Sequence, residues 1–272
     1  MYMNIDDHDF LRLKTYMQKK FGINLDKKRT LIEGRLSNVI AHAGYTSFRE
    51  YIDDVLADKS GEKVNEIITK LTTNYTYFMR EEAHYQFMVD TALPEWSKRI
   101  SDYDLRIWSA GCSSGEEAYT TAMVLAEFFG ASKEKWDTTI LATDISPRVL
   151  HEARMGTYQE NHLERLSPQW RKKYLELIGP NRWKIKPELA KEVVFGQFNL
   201  MDSFQQFRRK FHIIFCRNVM IYFNNQTKEE LAKKFYDALE PGGYFFIGFS
   251  ETLSGVNNNF VQVAPAIYRK GT

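Results

Sequence analysis

The chain has 272 residues, 43% hydrophobic and 14% aromatic, and a formal net charge of +2, which predicts one large or two unequal domains with a well-filled core. The near-neutral balance argues against a general nucleic-acid binder, and its two cysteines, without a spacing pattern, argue for a reduced cytoplasmic protein rather than a disulfide scaffold. Six scattered histidines give no metal-ligand spacing, the acidic opening Met-Tyr-Met-Asn-Ile-Asp-Asp is unlike a signal peptide, and no apolar run is long enough to span a bilayer.

Residues 1–75 read as a small helical domain. Asp6 or Asp7 caps a first helix that turns Phe10, Leu13, Met17 and Phe21 inward and stops at Gly22. A second helix carries Leu36, Val39, Ile40 and Ala43 and stops at Gly44. Ser47 with Glu50 forms a capping box for a third, burying Phe48, Tyr51, Ile52, Val55 and Leu56; a fourth buries Val64, Ile67, Ile68 and Leu71. Residues 12–35 hold eight basic side chains against Asp26 and Glu33 alone, an electropositive face or an ordinary solvated one.

Residues 76–90 are expected to form a linker, and Thr72-Thr-Asn-Tyr-Thr-Tyr-Phe-Met-Arg-Glu81 opens it with a density of hydroxyls and rings that bland linkers lack. It suits either the lining of a ligand site or an aromatic-packed connection. A helix around residues 82–96 follows.

Residues 105–119 read Leu-Arg-Ile-Trp-Ser-Ala-Gly-Cys-Ser-Ser-Gly-Glu-Glu-Ala-Tyr: a short apolar strand, then Gly111 and Gly115, then a helix with Ala118, Ala122, Leu125, Ala126 and Phe129 on one face. Strand, glycine turn and helix open a nucleotide-binding α/β domain, though an ordinary βα turn has the same outline. The spacing is not that of the dinucleotide fingerprint, and Glu116 and Glu117 at the helix N-terminus repel a pyrophosphate. A ligand with ribose hydroxyls, positive charge and no phosphate fits better; S-adenosylmethionine is such a molecule.

Thr138-Thr-Ile-Leu-Ala-Thr-Asp144 is the second strand, and its terminal Asp144 is placed to bind ribose hydroxyls. Ser146-Pro147 starts a helix that ends at Gly156. Residues 157–195 break the alternation: a helix capped by Ser167-Pro168, then a hairpin built from Tyr174-Leu-Glu-Leu-Ile, a Gly179-Pro-Asn-Arg182 turn and Trp183-Lys-Ile-Lys. Nine basic against five acidic residues between positions 154 and 193 make a second positive surface. Val193-Val-Phe-Gly-Gln-Phe-Asn199 resumes the sheet. Phe211-His-Ile-Ile-Phe-Cys reads as a fully buried parallel strand delivering Arg217 and Asn218 to the ligand edge. Thr227 with Glu230 caps a helix burying Leu231, Phe235 and Leu239, which Pro241-Gly242-Gly243 ends; residues 244–248 and 260–268 supply the last, antiparallel strands.

Cys216 follows Phe rather than the Pro a cytosine-5 methyltransferase nucleophile needs, so Cys112 and Cys216 read as inert buried thiols. No Asn/Asp-Pro-Pro-Tyr run points to adenine N6 methylation, and no Ser/His/Asp grouping points to hydrolysis.

Four blocks, Asn74-Tyr-Thr-Tyr-Phe-Met-Arg-Glu, Trp108-Ser-Ala-Gly-Cys-Ser-Ser-Gly-Glu-Glu-Ala-Tyr, Ala142-Thr-Asp-Ile-Ser and Phe215-Cys-Arg-Asn-Val-Met-Ile-Tyr-Phe, together resemble the bacterial chemotaxis receptor methyltransferases, the CheR family. Ala118 departs from the proline usual in that family after the paired glutamates, in the first helical turn where little depends on it. The resemblance implies a class I, Rossmann-like α/β methyltransferase domain over residues 91–272 with an inserted antiparallel β subdomain and an all-α N-terminal domain. It implies a cofactor pocket of Asn74, Thr76, Arg80, Gly111, Glu117, Asp144, Asn199, Leu200, Arg217 and Asn218 for S-adenosylmethionine, with Arg80 and Tyr222 near the transferred methyl and no metal. The implied substrate is glutamate on the helical cytoplasmic region of chemoreceptors, met by a monomer that neither enters a membrane nor binds nucleic acid. The alternatives are a methyltransferase for another carboxylate, a non-catalytic adenosylmethionine-binding signalling module and, more distantly, a nicotinamide dehydrogenase. Some family members grip an aromatic-acidic pentapeptide at the receptor C-terminus with a longer, glycine-punctuated hairpin loop. The shorter turn here, with Pro180 lacking an amide donor, implies independence from that tether.

Overall fold

The structure, a computed structural model, describes residues 3–272; residues 1 and 2 of the acidic opening segment lie outside them. The chain forms two compact units, one of residues up to Asn74 with Tyr222–Thr227, the other of Tyr75–Ile221 with Lys228–Thr272. Among the described residues no helix is long and apolar enough to cross a membrane.

In the smaller unit, α1 (Asp7–Phe21) starts where the Asp6 carboxylate accepts the Asp9 N–H at 2.7 Å and ends at a left-handed Gly22. It buries Leu13, Met17 and Phe21, while Phe10 is half-buried beneath the Arg29 guanidinium, 4.8 Å away. In α2 (Arg29–His42) the buried face is Ile32, Leu36 and Ile40 with the polar Glu33 and Ser37; Val39 is only half-buried and Ala43 is exposed, contrary to the sequence expectation. The cause is the opening segment, whose Ile5 N–H donates to Glu33 (3.1 Å) and Met3 N–H to Ser37 (3.0 Å), so two polar side chains are spent inward on backbone. In α3 (Phe48–Ala57) the capping box closes one residue early, with Glu50 N–H donating to Ser47 and the Glu50 carboxylate accepting the Thr46 N–H; Leu56 is half-buried. α4 (Glu62–Leu71) buries the four expected residues. The late segment pairs Phe223 with Ile23, and Asn24 N–H donates to Tyr222 O at 2.8 Å.

The larger unit opens with α5 (Ala83–Phe87) and α6 (Leu93–Arg99), joined by a π turn over Met88–Ala92 in which Leu93 N–H reaches back five residues to Met88 O. Pro94 has no N–H for the ordinary four-residue bond, which accounts for the widened turn. Then come β1 (Ile107–Ala110), α7 (Glu116–Phe129), β2 (Ile140–Asp144) and α8 (Pro147–Met155). An insertion holds β3 (Thr157–Gln159), α9 (Pro168–Tyr174), β4 (Leu175–Gly179), β5 (Arg182–Ile185) and α10 (Pro187–Ala190). The chain closes with β6 (Val193–Gln197), β7 (Phe211–Cys216), α11 (Asn225–Ala238), β8 (Leu239–Ile247), β9 (Val261–Ala264) and β10 (Ile267–Arg269).

Seven strands form one sheet in the order β6-β2-β1-β7-β8-β10-β9, parallel except for β10. The chain builds outward from β1 through β2 to β6, then returns to β7 on the other side of β1, which makes the carboxyl ends of β1 and β7 a topological switch point. β7, buried at all six positions, is the centre of the core. Beneath the β6 end, Trp108 is ringed by Phe198, Phe204, Phe207, Phe211 and Phe235, with centroids 4.7–5.7 Å away.

The expected hairpin is a three-stranded antiparallel sheet in the order β3-β5-β4, closed by a two-residue Pro180-Asn181 turn with Asn181 at φ 53°. Two boundaries differ from expectation. Asn224, not Thr227, caps α11, accepting Thr227 N–H at 2.9 Å, because an Asn side chain is the stronger N-cap. The helix ends at Ala238, and Pro241-Gly242-Gly243 instead forms an irregular part of β8, where the register against β7 shifts.

Candidate active site

The carboxyl ends of β6, β2, β1 and β7 lie side by side, and there the larger unit gathers Gly111, Glu117, Asp144, Asn199, Leu200, Arg217 and Asn218. The glycine loop leaves β1 by donating Gly111 N–H (2.7 Å) and Cys112 N–H (2.9 Å) to Thr143 O. Gly111 has φ +97°, and a Cβ there would lie 2.4 Å from the Val219 Cγ2, so only glycine lets the β7-end turn close on this loop.

Asp144 bridges the two strand ends. One carboxylate oxygen accepts Ser113 N–H at 2.9 Å and the other Ser146 N–H at 3.0 Å. Burial pushes its pKa up, and the amides of Ser146, Ser113 and Ile145 hold it down against that. A carboxylate has about four lone-pair sites, so beyond these backbone donors it can still accept from a ribose hydroxyl. Phe198 N–H donates to Asp144 O at 3.0 Å and thereby fixes the start of the Asn199-Leu200 loop. That loop is closed by Met201 N–H onto the Asn199 side chain (3.0 Å) and by Lys234, which donates to the carbonyls of Leu200, Met201 and Asp202 at 2.8–3.1 Å.

Arg217 is buried, and its guanidinium is surrounded by acceptors. Nε donates to Glu81 at 3.1 Å, Nη1 to Glu117 and to Tyr85 Oη at 3.2 Å each, and Nη2 to the Arg80 carbonyl. Burial works against its charge, but Tyr85, Glu117 and Glu81 raise its pKa above the ordinary arginine value. Burial raises Glu117, while Arg217 and a 2.6 Å bond from Ser109 Oγ lower it. For Glu81 burial is outweighed by Arg217 and the Phe249 N–H, and its pKa falls. Arg217 thus serves as a strut, holding the Arg80 turn to the end of β7.

Arg80 stands between two residues in left-handed backbone, Met79 (φ 59°) and Glu81 (φ 55°), a conformation non-glycine residues keep only when their surroundings hold it. Arg217 supplies that hold. Arg80 Nη1 donates to Tyr75 O at 2.9 Å, and its guanidinium lies 5.9 Å from the Tyr77 ring centroid. Thr76 is half-buried in the same segment. Asn74 and Tyr222 fall in the smaller unit, where the Tyr222 hydroxyl accepts Thr73 N–H at 2.8 Å and donates to Thr73 O at 3.2 Å.

Both cysteines are buried and their pKa values pushed well up by burial, as inert thiols require. The sequence did not single out Glu81, Ser109, Tyr85, Lys234 or Glu251, nor the pair between the buried Glu116 and His162 at 2.7 Å. Glu81 closes the first of the four blocks; the others carry no local signal. Among the described residues one group has metal-ligand spacing, Asp6, His8 and Asp9, and two of its carboxylates already hold Arg49 and Arg12.

Asp144, Glu117 and Glu81 outnumber Arg217 and Arg80 here, so the strand ends are acidic. A ribose-bearing sulfonium suits that donor set, and a pyrophosphate does not.

Two family models match this chain. Residues 74–268 match the description "CheR methyltransferase, SAM binding domain", and residues 8–72 match "CheR methyltransferase, all-alpha domain". The chain is 42% identical over 272 residues to a chemotaxis protein methyltransferase of Borreliella burgdorferi, covering 98% of this chain and 96% of that one. It is 34% identical to chemotaxis protein methyltransferases of Pseudomonas putida (97% of this chain, 98% of that one) and of Escherichia coli K12 (97% and 91%).

Proposed function

The chain belongs to the CheR methyltransferase family, an S-adenosylmethionine-dependent family, and from that membership we propose that it methylates glutamate side-chain carboxylates on the helical cytoplasmic region of chemoreceptors. The observation that carries this reading is Asp144, a strand-end carboxylate held by backbone amides on both oxygens, beside the acidic Glu117 and the bare glycine loop. The adenosylmethionine cofactor supplies an electrophilic methyl on a sulfonium when bound. Asp144 would hold its ribose, and Glu117 with the Asn199-Leu200 loop would line the remainder.

The chemistry asks little more of the protein than alignment. A glutamate carboxylate has an ordinary pKa of about 4.3, so it is ionised at neutral pH and needs no general base. Anion and sulfonium cancel charge as they react, so excluding water and fixing the line of approach lower the barrier. Arg80 uses one of its five N–H donors on Tyr75, and the rest of its planar fork can hold a carboxylate. Tyr222 would set the approach with its hydroxyl by exchanging the Thr73 carbonyl for the substrate. Both residues position the nucleophile; a tighter clamp would blunt it.

For the substrate, two basic surfaces support docking of an acidic helical bundle. In the smaller unit a groove of about 690 Å³ is lined by Leu11, Tyr16 and Leu56 with the basic Arg12, Lys19 and Lys20. Part of the basic run there is already neutralised internally, Arg12 by Asp53, Lys14 by Asp26 and Arg29 by Asp7. The two-residue turn between β4 and β5 supports recognition without the pentapeptide tether. The same reading takes the protein to be a cytoplasmic monomer.

Labelled adenosylmethionine with a chemoreceptor cytoplasmic fragment tests the proposal. The label should appear on the fragment, leave as methanol in mild alkali, and vanish when the accepting glutamates are replaced by alanine. An alkali-stable label would overturn carboxylate specificity, and retained cofactor without transfer would favour the binding-module alternative.

A further inference from the structure

Glu251 lies just beyond β8, thirty-three positions from the turn that leaves β7, and its carboxylate is wrapped around that turn. One oxygen accepts Asn218 N–H at 2.8 Å and Gly248 N–H at 2.6 Å; the other accepts Ile221 N–H at 3.1 Å, and the Met220 amide adds to them. Each of these partners is an amide donor, so together they favour the accepting carboxylate against the burial that pushes its pKa up. The grip caps the short 3₁₀ turn Met220–Tyr222 from outside the segment and fixes Asn218, whose φ of 60° is left-handed.

Three features of the site depend on that turn. Asn218 lies across the bare backbone of Gly248, where a Cβ would stand 2.4 Å from its amide nitrogen, and its Nδ2 points to Glu81 at 3.5 Å. Val219 presses on Gly111 of the cofactor loop. Ile221, held by Glu251, precedes Tyr222 in the chain. Glu81 accepts Phe249 N–H at 3.0 Å, so a second carboxylate ties the β8 end to the Arg80 turn.

We propose that Glu251 is a positioning residue of the methyl-transfer site: by holding residues 218–221 through their amides it sets Asn218 and Val219 against the cofactor loop and fixes the segment that delivers Tyr222. The inference rests on the methyltransferase reading above. Glu251 touches neither cofactor nor substrate in this account and acts through the turn.

The test compares Glu251→Gln, Glu251→Asp and Gly248→Ala with the wild type. Glutamine keeps the size but points an NH2 at amide donors, aspartate keeps the charge on a shorter arm, and alanine at 248 brings a Cβ within 2.4 Å of the Asn218 Nδ2 and 2.9 Å of the Glu251 Oε2, forcing the two sides of the grip apart without altering either residue. Calorimetry with S-adenosylhomocysteine should show Kd raised about tenfold in Glu251→Gln, and kcat at saturating cofactor and receptor fragment should fall at least tenfold. The apo melting temperature should stay near wild type, and Glu251→Asp should recover part of both losses. A folded Glu251→Gln with Kd and kcat within twofold of wild type overturns the proposal, as does a loss fully accounted for by a lowered melting temperature. If Glu251→Gln does not fold, Gly248→Ala decides: a raised Kd supports the role, and an unchanged one refutes it. Wild-type transfer onto the fragment is measured alongside; its absence refutes the function proposed above, while the calorimetric comparison still judges Glu251.

Discussion

Asp144 and Arg80 carry opposite expectations for the two halves of the reaction. Asp144→Ala removes the carboxylate expected to hold the ribose, so adenosylmethionine binding should weaken by about 1.5–3 kcal/mol with the fold intact. Calorimetry returning wild-type affinity would remove Asp144 from the site. Arg80→Lys keeps the charge and loses the planar fork, so turnover should fall more than cofactor affinity; the reverse pattern would make Arg80 a binding residue. The position of Asp144 at the carboxyl end of β2 was legible in the sequence because the apolar run before it marks a parallel strand that it closes. Arg217 was legible only as a polar group at the ligand edge. Its partners Glu81 and Glu117 lie 136 and 100 positions away, and no local pattern announces contacts of that range.

At the scale of elements, the inserted sheet buttresses the glycine loop. Tyr158 of β3 donates its hydroxyl to Ser114 O at 2.7 Å, and His162, just after β3, pairs with the buried Glu116 of α7. The Glu116 hydrogen bond raises the His162 pKa above its ordinary value near 6.5, so the folded state favours the protonated ring. The stability this adds is complete below about pH 6.5 and is lost as pH climbs through the raised value. Thermal melts at about pH 6 and pH 8 should therefore show a larger loss for the wild type than for His162→Gln; equal losses would place the titration elsewhere. The strand itself went unseen in the sequence because Thr157-Tyr-Gln is too short to display a period, and it exists only by pairing with β5. Helix α2 failed differently: its apolar period was read correctly as a helix, but the inward face was turned by Glu33 and Ser37, which bond to a segment with no periodicity of its own. The long, strongly patterned elements, α1, α4, α7 and β7, were legible because their own residues supply the face they bury.

For the molecule as a whole, a receptor held by the basic surfaces should bind more weakly as salt shortens the reach of charge, which is about 8 Å at physiological ionic strength. The tether question is sharper. β4 remains an edge strand with Leu177 and Ile178 exposed, so the short turn has not removed the place where an added strand could pair. Titrating the isolated pentapeptide should give no heat, and a tail-truncated receptor should be fully methylated; micromolar affinity would refute independence. The smaller unit has a further consequence through its make-up, residues up to Asn74 joined by Tyr222–Thr227. A ribosome releases Asn74 148 residues before Tyr222, a delay of roughly 7–30 s at ordinary elongation rates. During that interval Ile23 has no Phe223 to pair with and Asn24 and Thr73 have no Tyr222 to bond, so the nascent helical bundle waits for Tyr75–Ile221 of the larger unit to be translated.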